Sequence, residues 1–147
     1  MKKQHCIYIF LLFLIDQLTK YAASMQLPGN QVTLVEDFFY LTYVENNGAA
    51  FGLFTGGQLL FVLFGIVAII IAVFYLNKKT LKKVECLSYI LLFAGILGNI
   101  FDRIVQGFVI DFFDFYPFGY DFPVFNYADI FVTIGTSLMI YSVLKEK

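Results

Sequence analysis

The chain has 147 residues, of which 60% are hydrophobic, 20% aromatic and only 14% charged. Soluble domains average about 45–50% apolar and about 25% charged residues, so this composition indicates an integral membrane protein. The formal net charge of −1 offers no electrostatic footprint for nucleic acid. By length, residues 1–147 form a single domain.

Four apolar runs predict an all-α membrane core of four transmembrane helices. The runs cover about 7–23, 59–76, 84–104 and 127–144. At about 1.5 Å per residue, the second run reaches roughly 27 Å, close to the hydrocarbon thickness of a bilayer. The first run could instead belong to a cleavable signal peptide, because it follows two lysines. However, Asp16 and Lys20 lie where such a peptide stays neutral, which favours an uncleaved first span.

Lysines predict the orientation of these spans. They flank the runs at Lys2, Lys3, Lys78, Lys79, Lys82, Lys83, Lys145 and Lys147. The connections 24–58 and 105–126 have mainly acids, so the positive-inside rule places both termini in the cytoplasm and both long connections outside. Cys6 and Cys86 then lie on the reducing side, and no disulfide is expected between them.

The first outer connection predicts a small β-sheet, the second a less regular structure. Two runs rich in β-branched and aromatic residues, 31–35 and 38–44, lie between turn-forming groups within an outer β segment of about 30–52. The aromatic stretch 108–125 is broken by two prolines and a glycine. A short interfacial helix or turn followed by a loop is predicted there.

Ionisable and amide side chains lie among the apolar runs, where they are costly and therefore mark a candidate functional site. Asp16 and Lys20 are four residues apart and share one helical face, although an intrahelical pair with a snorkelling lysine would explain them too. Asn99 and Arg103 are also four apart, with Asp102 between them. Helix packing or snorkelling is the alternative explanation at that position.

The remaining acids follow the third run. Asn126 and Asp129 are spaced as an N-cap and a first-turn acid, which requires no chemistry. Asp111 has apolar neighbours on both sides, although it could be a solvated interfacial acid. Two carboxylates held close in a partly dry site share one proton, so one can activate water while the other donates to a carbonyl oxygen. The cluster thus favours aspartic peptide hydrolysis over a carboxylate-bound metal, and the serines and cysteines lack a histidine partner.

Five sequence blocks resemble the lipoprotein signal peptidases (signal peptidase II), which are bacterial inner-membrane aspartic proteases. The blocks are DQLTK at 16–20, NNGAAFG at 46–52, GNIFDR at 98–103, VIDF at 109–112 and FNYAD at 125–129. They occur in the family's order and span nearly the whole chain. The fold that the resemblance implies is four transmembrane helices with a small extracytoplasmic β-cradle.

The resemblance also implies roles for individual residues. Asp111 and Asp129 match the family's catalytic pair, and Glu45 departs from the basic residue often found before the asparagine of the second block. Supporting or substrate-binding roles are expected for Asp16, Lys20, Asn46, Gly48, Asn99, Asp102, Arg103 and Asn126. No metal and no organic cofactor is expected.

The implied substrates are diacylglyceryl-prolipoproteins, cut just before the lipidated cysteine after reaching the site sideways from the bilayer. Membrane lipids are the other expected partners, and the protein is expected to be a monomer in the inner membrane with its active site near the outer face. An alternative is a small transporter or channel subunit with Asp16, Asp102 and Arg103 along an ion path. The charges, however, gather at one side of the membrane. A purely structural subunit would not explain the clustered acids.

Overall fold

Four long helices account for most of the computed structural model, which describes residues 3–48, 57–76 and 81–145. The helices are α1 (Lys3–Gln26), α2 (Gln58–Leu76), α3 (Lys83–Val105) and α4 (Tyr127–Lys145). Each predicted apolar run lies inside its helix. By length and composition α1, α3 and α4 can each cross a membrane, which confirms a membrane core. α2 is apolar but shorter by the same measure, so a fourth span stays a prediction.

The helices are joined to a small antiparallel sheet with the order β1-β2-β3. Its strands are β1 (Gln31–Val35), β2 (Phe39–Asn46) and β3 (Val109–Phe115). The sheet confirms the two strands predicted in the first connection. Residues 49–52 of the predicted β segment, and four of the flanking lysines (Lys2, Lys78, Lys79 and Lys147), lie outside the described residues.

The prediction of a helix or turn and a loop over 108–125 was wrong for its first half, which forms β3. This strand pairs with β2, which lies more than 60 residues earlier in the chain, with Asp111 opposite Val44. Ile110 and Phe112, which lie on one face of β3, pack against the end of α1. A helical turn follows only at Pro117–Gly119. The sequence of 108–125 alone did not indicate this pairing, because the partner strand is distant in the chain. The two prolines in that stretch favoured a turn and a loop instead.

α3 is the central helix, in contact with each of the other three. Glycines let the helices approach closely, as is common in membrane bundles. A Cβ at Gly135 of α4 would lie 2.9 Å from the carbonyl oxygen of Ser88, and a Cβ at Gly98 of α3 would lie 2.5 Å from Asp16 Oδ2. The second contact brings a charged residue of α1 into the interior at the end of the bundle nearest the sheet.

Candidate active site

A buried ion cluster joins α1 to α3. Lys20 Nζ lies 2.9 Å from Asp16 Oδ2 and 2.8 Å from Asp102 Oδ2, and all three side chains are buried. The lysine also donates to Asn99 Oδ1 at 3.0 Å. A buried charge is tolerated only with such partners. Lys20 therefore points into the bundle, and the snorkelling explanation is wrong.

The same cluster fixes the beginning of α4. Asp16 Oδ1 accepts a hydrogen bond of 2.9 Å from the backbone N–H of Ala128. That N–H belongs to the first turn of the helix, where donors have no partner within the helix. The charge of Asp16 thereby holds the residue next to Asp129 in place.

Gln17 is a member of this cluster that the sequence interpretation did not single out. Its Nε2 donates to Asp102 Oδ1 at 2.9 Å and to Asp16 Oδ2 at 3.1 Å. The sequence feature that could have identified Gln17 is an amide directly after a membrane-embedded acid, within the first block. The Gln17 side chain bridges Asp16 and Asp102, the two acids that also contact Lys20.

Asp129 is held by groups from α3 and from its own helix. Its Oδ1 accepts a hydrogen bond of 2.8 Å from Asn99 Nδ2, and its Oδ2 accepts one of 3.1 Å from the backbone N–H of Asn126. In return, Asn126 Oδ1 accepts from the backbone N–H of Asp129 at 3.0 Å. This reciprocal arrangement is a capping box. The spacing of Asn126 and Asp129 therefore does have the predicted N-cap geometry.

Asn126 also holds the second acid. Its Nδ2 donates to Asp111 Oδ1 at 2.6 Å, while Asn46 Nδ2 donates to Asp111 Oδ2 at 2.8 Å. Burial, with the neighbouring charge of Asp129 as the next cause, raises the pKa of Asp111 to about 7. One asparagine thus contacts both acids, and a pKa of about 7 means that Asp111 gains or loses its proton around neutral pH.

Arg103 connects α3 to the end of β2. Its Nη2 donates to the carbonyl oxygen of Gly48 at 3.1 Å, and its Nη1 donates to the carbonyl oxygen of Asn99 at 3.2 Å. The guanidinium carbon lies 4.9 Å from the centre of the Phe61 ring, a cation–π contact that the sequence did not indicate. Its buried Nε has no hydrogen-bond partner among the described residues.

Both acids face a cavity of about 600 Å³. Predicted site residues that line it are Asn46, Gly48, Arg103, Asp111 and Asp129. The other five (Asp16, Lys20, Asn99, Asp102 and Asn126) do not line the cavity. Asn99 and Asn126 hydrogen-bond the two acids directly, whereas the other three hold Asn99 and the beginning of α4. Apolar and aromatic side chains complete the wall: Phe61, Phe122, Pro123, Val124, Phe125, Ile130 and Ile134.

The cavity therefore combines two carboxylic acids, a guanidinium group and apolar walls. This arrangement can exchange protons with a bound amide and can surround an apolar ligand. In the described ranges, no three His, Cys, Asp or Glu side chains come together as a group that could hold a metal ion.

The fold defines a class, a membrane protein of apolar helices and a small sheet, in which two acids face one cavity. The sequence profile described as Signal peptidase (SPase) II matches residues 8–145. A lipoprotein signal peptidase of Clostridium tetani is 41% identical over 95% of this chain and 92% of its own. One of Staphylococcus haemolyticus is 40% identical over 99% of this chain and 97% of its own. The chain belongs to the signal peptidase II family, and it is a multi-pass bacterial membrane protease.

Solved structures agree with this family membership. The structure of a bacterial membrane enzyme superposes with a TM-score of 0.87 at 37% identity, covering 97% of this chain and 88% of the other. A second one gives a TM-score of 0.87 at 36% identity, with 98% and 94% covered. The family resemblance predicted from the five blocks is thereby confirmed.

Proposed function

We propose that this protein is an intramembrane aspartic endopeptidase that removes the signal peptide of diacylglyceryl-modified prolipoproteins, cutting before the lipidated cysteine. The observation that supports this most directly is that Asp111 and Asp129 face one cavity and that both carboxylates accept hydrogen bonds from Asn126, one from its side chain and one from its backbone. The proposal includes a single domain of four spans, acting as a monomer in the inner membrane. Both termini would be cytoplasmic, with the sheet and the two acids near the outer face.

In the proposed mechanism the two acids exchange roles around one water molecule. Asp129, ionised, takes a proton from the water, whose oxygen attacks the carbonyl carbon of the residue before the cysteine. Asp111, protonated, donates to the carbonyl oxygen and gives a tetrahedral diol. When the C–N bond breaks, the proton held by Asp129 passes to the leaving amine of the cysteine. The carbonyl re-forms as a carboxylic acid, and Asp111 recovers its proton.

Other groups of the cavity fit the rest of the substrate. Arg103 lines the cavity, and its guanidinium group is a donor for a carbonyl oxygen of the extended peptide. The apolar wall from Phe122 to Phe125, with Ile130, suits the diacylglyceryl chains, because burial of each CH₂ contributes about 0.8 kcal/mol. Cleavage would thus depend on both the peptide and its lipid.

The pH dependence of cleavage follows from the raised pKa of Asp111. Since the pKa lies near 7, the rate should fall as pH rises through about 7, approaching tenfold per pH unit, as the proton needed for the carbonyl oxygen is lost. The raised pKa also means that the folded state binds more protons between 3.8 and about 7, so stability should decrease across that window as pH rises. Steady-state rates and thermal unfolding in detergent measure both effects.

The control for this prediction is Asp111→Asn. Because asparagine does not titrate, the variant should lack the contribution of Asp111 to the decrease in stability as pH rises toward about 7. A wild-type rate that is constant from about pH 6 to about pH 9 would contradict the assignment of the proton to Asp111.

The function itself is tested by incubating the purified wild-type protein in detergent with a prolipoprotein, with and without the diacylglyceryl group. Mass spectrometry should find a product that begins at the lipidated cysteine, with the unlipidated precursor cut much more slowly. If instead the protein conducts ions in vesicles and leaves the precursor intact, the alternative of a channel or transporter subunit is correct.

A further inference from the structure

A second large cavity, of about 630 Å³, lies in the same cleft between α2 and α4, farther from the sheet. Ala68 and Ala72 of α2 and Thr136 and Met139 of α4 form its sides. Leu92 and Ile96 of α3 contribute to its floor. We call this the α2–α4 groove. It lies in the part of the bundle that the mechanism above does not use.

The groove exists because α3 holds α2 and α4 separately. A Cβ at Gly65 of α2 would lie 2.6 Å from Ile100 Cδ1 of α3, and a Cβ at Gly135 of α4 would lie 3.0 Å from the Leu92 nitrogen. Both helices are thus packed tightly on α3, and α3 is the element with which α2 has most of its contacts. Ala68 and Thr136 are exposed at opposite rims. A lipid-facing groove results, with small side chains at both rims.

The α2–α4 groove lies next to the cavity that contains the acids, along the same two helices. α2 contributes Phe61 to the upper cavity and Ala68 to the groove, while α4 contributes Ile134 to the upper cavity and Thr136 to the groove. Ser142 at the far end of the groove lies 13 residues beyond Asp129, about 20 Å along the helix. The apolar region of a signal peptide has about 7–15 residues, or about 10–22 Å as a helix. The lengths match.

We propose that the α2–α4 groove binds the apolar helix of the signal peptide while the end of that peptide is cut in the upper cavity. This proposal rests on the proposed function and adds a second determinant of specificity. The bound helix runs antiparallel to α4, because its cleaved end must reach Asp129. Its side chains replace lipid tails against a wall that is mostly apolar, with Glu85, Ser88 and Ser142 as its other polar members besides Thr136. The groove therefore selects shape and packing at close range. The tail of a membrane lipid and a second copy of the chain are the competing occupants.

Filling the groove tests the proposal, and the chain offers a matched control. Thr136 and Ser137 are adjacent and both exposed, but only Thr136 lines the groove. Thr136→Phe should raise KM for the diacylglyceryl-prolipoprotein by about tenfold with kcat within about twofold, because the docking contact is remote from the cut bond. Ser137→Phe should leave both constants near the wild-type values. Ala68→Phe, with Val67→Phe as its control, repeats the comparison on the opposite wall.

Cross-linking gives a second measurement that does not require cleavage. A benzophenone amino acid at position 136, in the Asp111→Asn background, should cross-link to the signal peptide about seven residues before the cut bond, the offset of Thr136 from Asp129 along α4. The same probe at position 137 should not. Unchanged KM in both filling variants, with cross-links only to lipid or to a second copy, would overturn the groove proposal. Wild-type cleavage in the same preparation tests the proposed function separately.

Discussion

Asp111→Asn and Asp129→Asn are each expected to lower kcat for prolipoprotein cleavage by about 10⁴-fold, the upper end of what a general acid or base supplies. Asparagine has nearly the shape of aspartate but neither gives up nor takes a proton at neutral pH. Each acid accepts two hydrogen bonds from the protein, one on each carboxylate oxygen. In the variant, the asparagine oxygen keeps one of these bonds, and the asparagine NH₂ group loses the other. Both proteins should remain folded. Single-turnover rates and thermal unfolding in detergent separate the two effects.

Asp114→Asn is the matched control on the same strand. Asp114 is also buried, but Gln31 and Thr42 contact it, at 3.2 and 2.8 Å, and it does not line the cavity. Its replacement should leave cleavage within about threefold of wild type, as expected for a change remote from the reacting atoms. Substantial cleavage by either variant of the paired acids would show that the pair is wrongly assigned.

Lys20→Met is expected to have the largest effect on stability, lowering the free energy of unfolding by about 3–5 kcal/mol. The substitution leaves Asp16 and Asp102 buried without their cation. It also removes the hydrogen bond to Asn99, whose amide holds Asp129, so the remaining folded protein should cleave more slowly. Thermal or denaturant unfolding in detergent measures the first effect, and cleavage by the folded fraction measures the second.

Two further variants make this prediction specific. Combining Lys20→Met with Asp16→Asn and Asp102→Asn removes the unpaired charges and should recover most of the stability, because a neutral buried cluster avoids the cost of desolvation. Lys83→Met changes an exposed lysine and should have an effect within about 0.5 kcal/mol. A single variant of Lys20 as stable as that of Lys83 would mean that the ion cluster contributes little.

The helices could be predicted from the sequence because a membrane-spanning segment is a long, continuous run of apolar residues. The first two strands could also be predicted from neighbouring residues, since 31–35 and 38–44 are bounded by turn-forming residues. β3 was not, because its partner strand is distant in the chain and its aromatic sequence also suits an interface. The extent of the sheet therefore needed three-dimensional contacts.

The site was predicted in part for the same reason. Residues within one helical turn, such as Asp16 with Lys20, could be paired from spacing. The contacts of Asn126 with Asp111 and of Gln17 with Asp102 join separate elements, and spacing does not give them. The five sequence blocks identified most of the participants, whereas the hydrogen bonds between blocks came only from the fold.

The composition of the buried ion cluster has a consequence for how the protein enters the membrane. α1 has Asp16 and Lys20 one turn apart, and α3 has Asp102 and Arg103 side by side. Each helix can thus be inserted with an acid and a base of its own, which lowers the cost of a lone charge, about 2.5–3.5 kcal/mol at the bilayer centre. Lys20 gains its second carboxylate only when the helices meet. α1 and α3 can therefore enter the membrane as nearly neutral helices, with the ion cluster between them completed last.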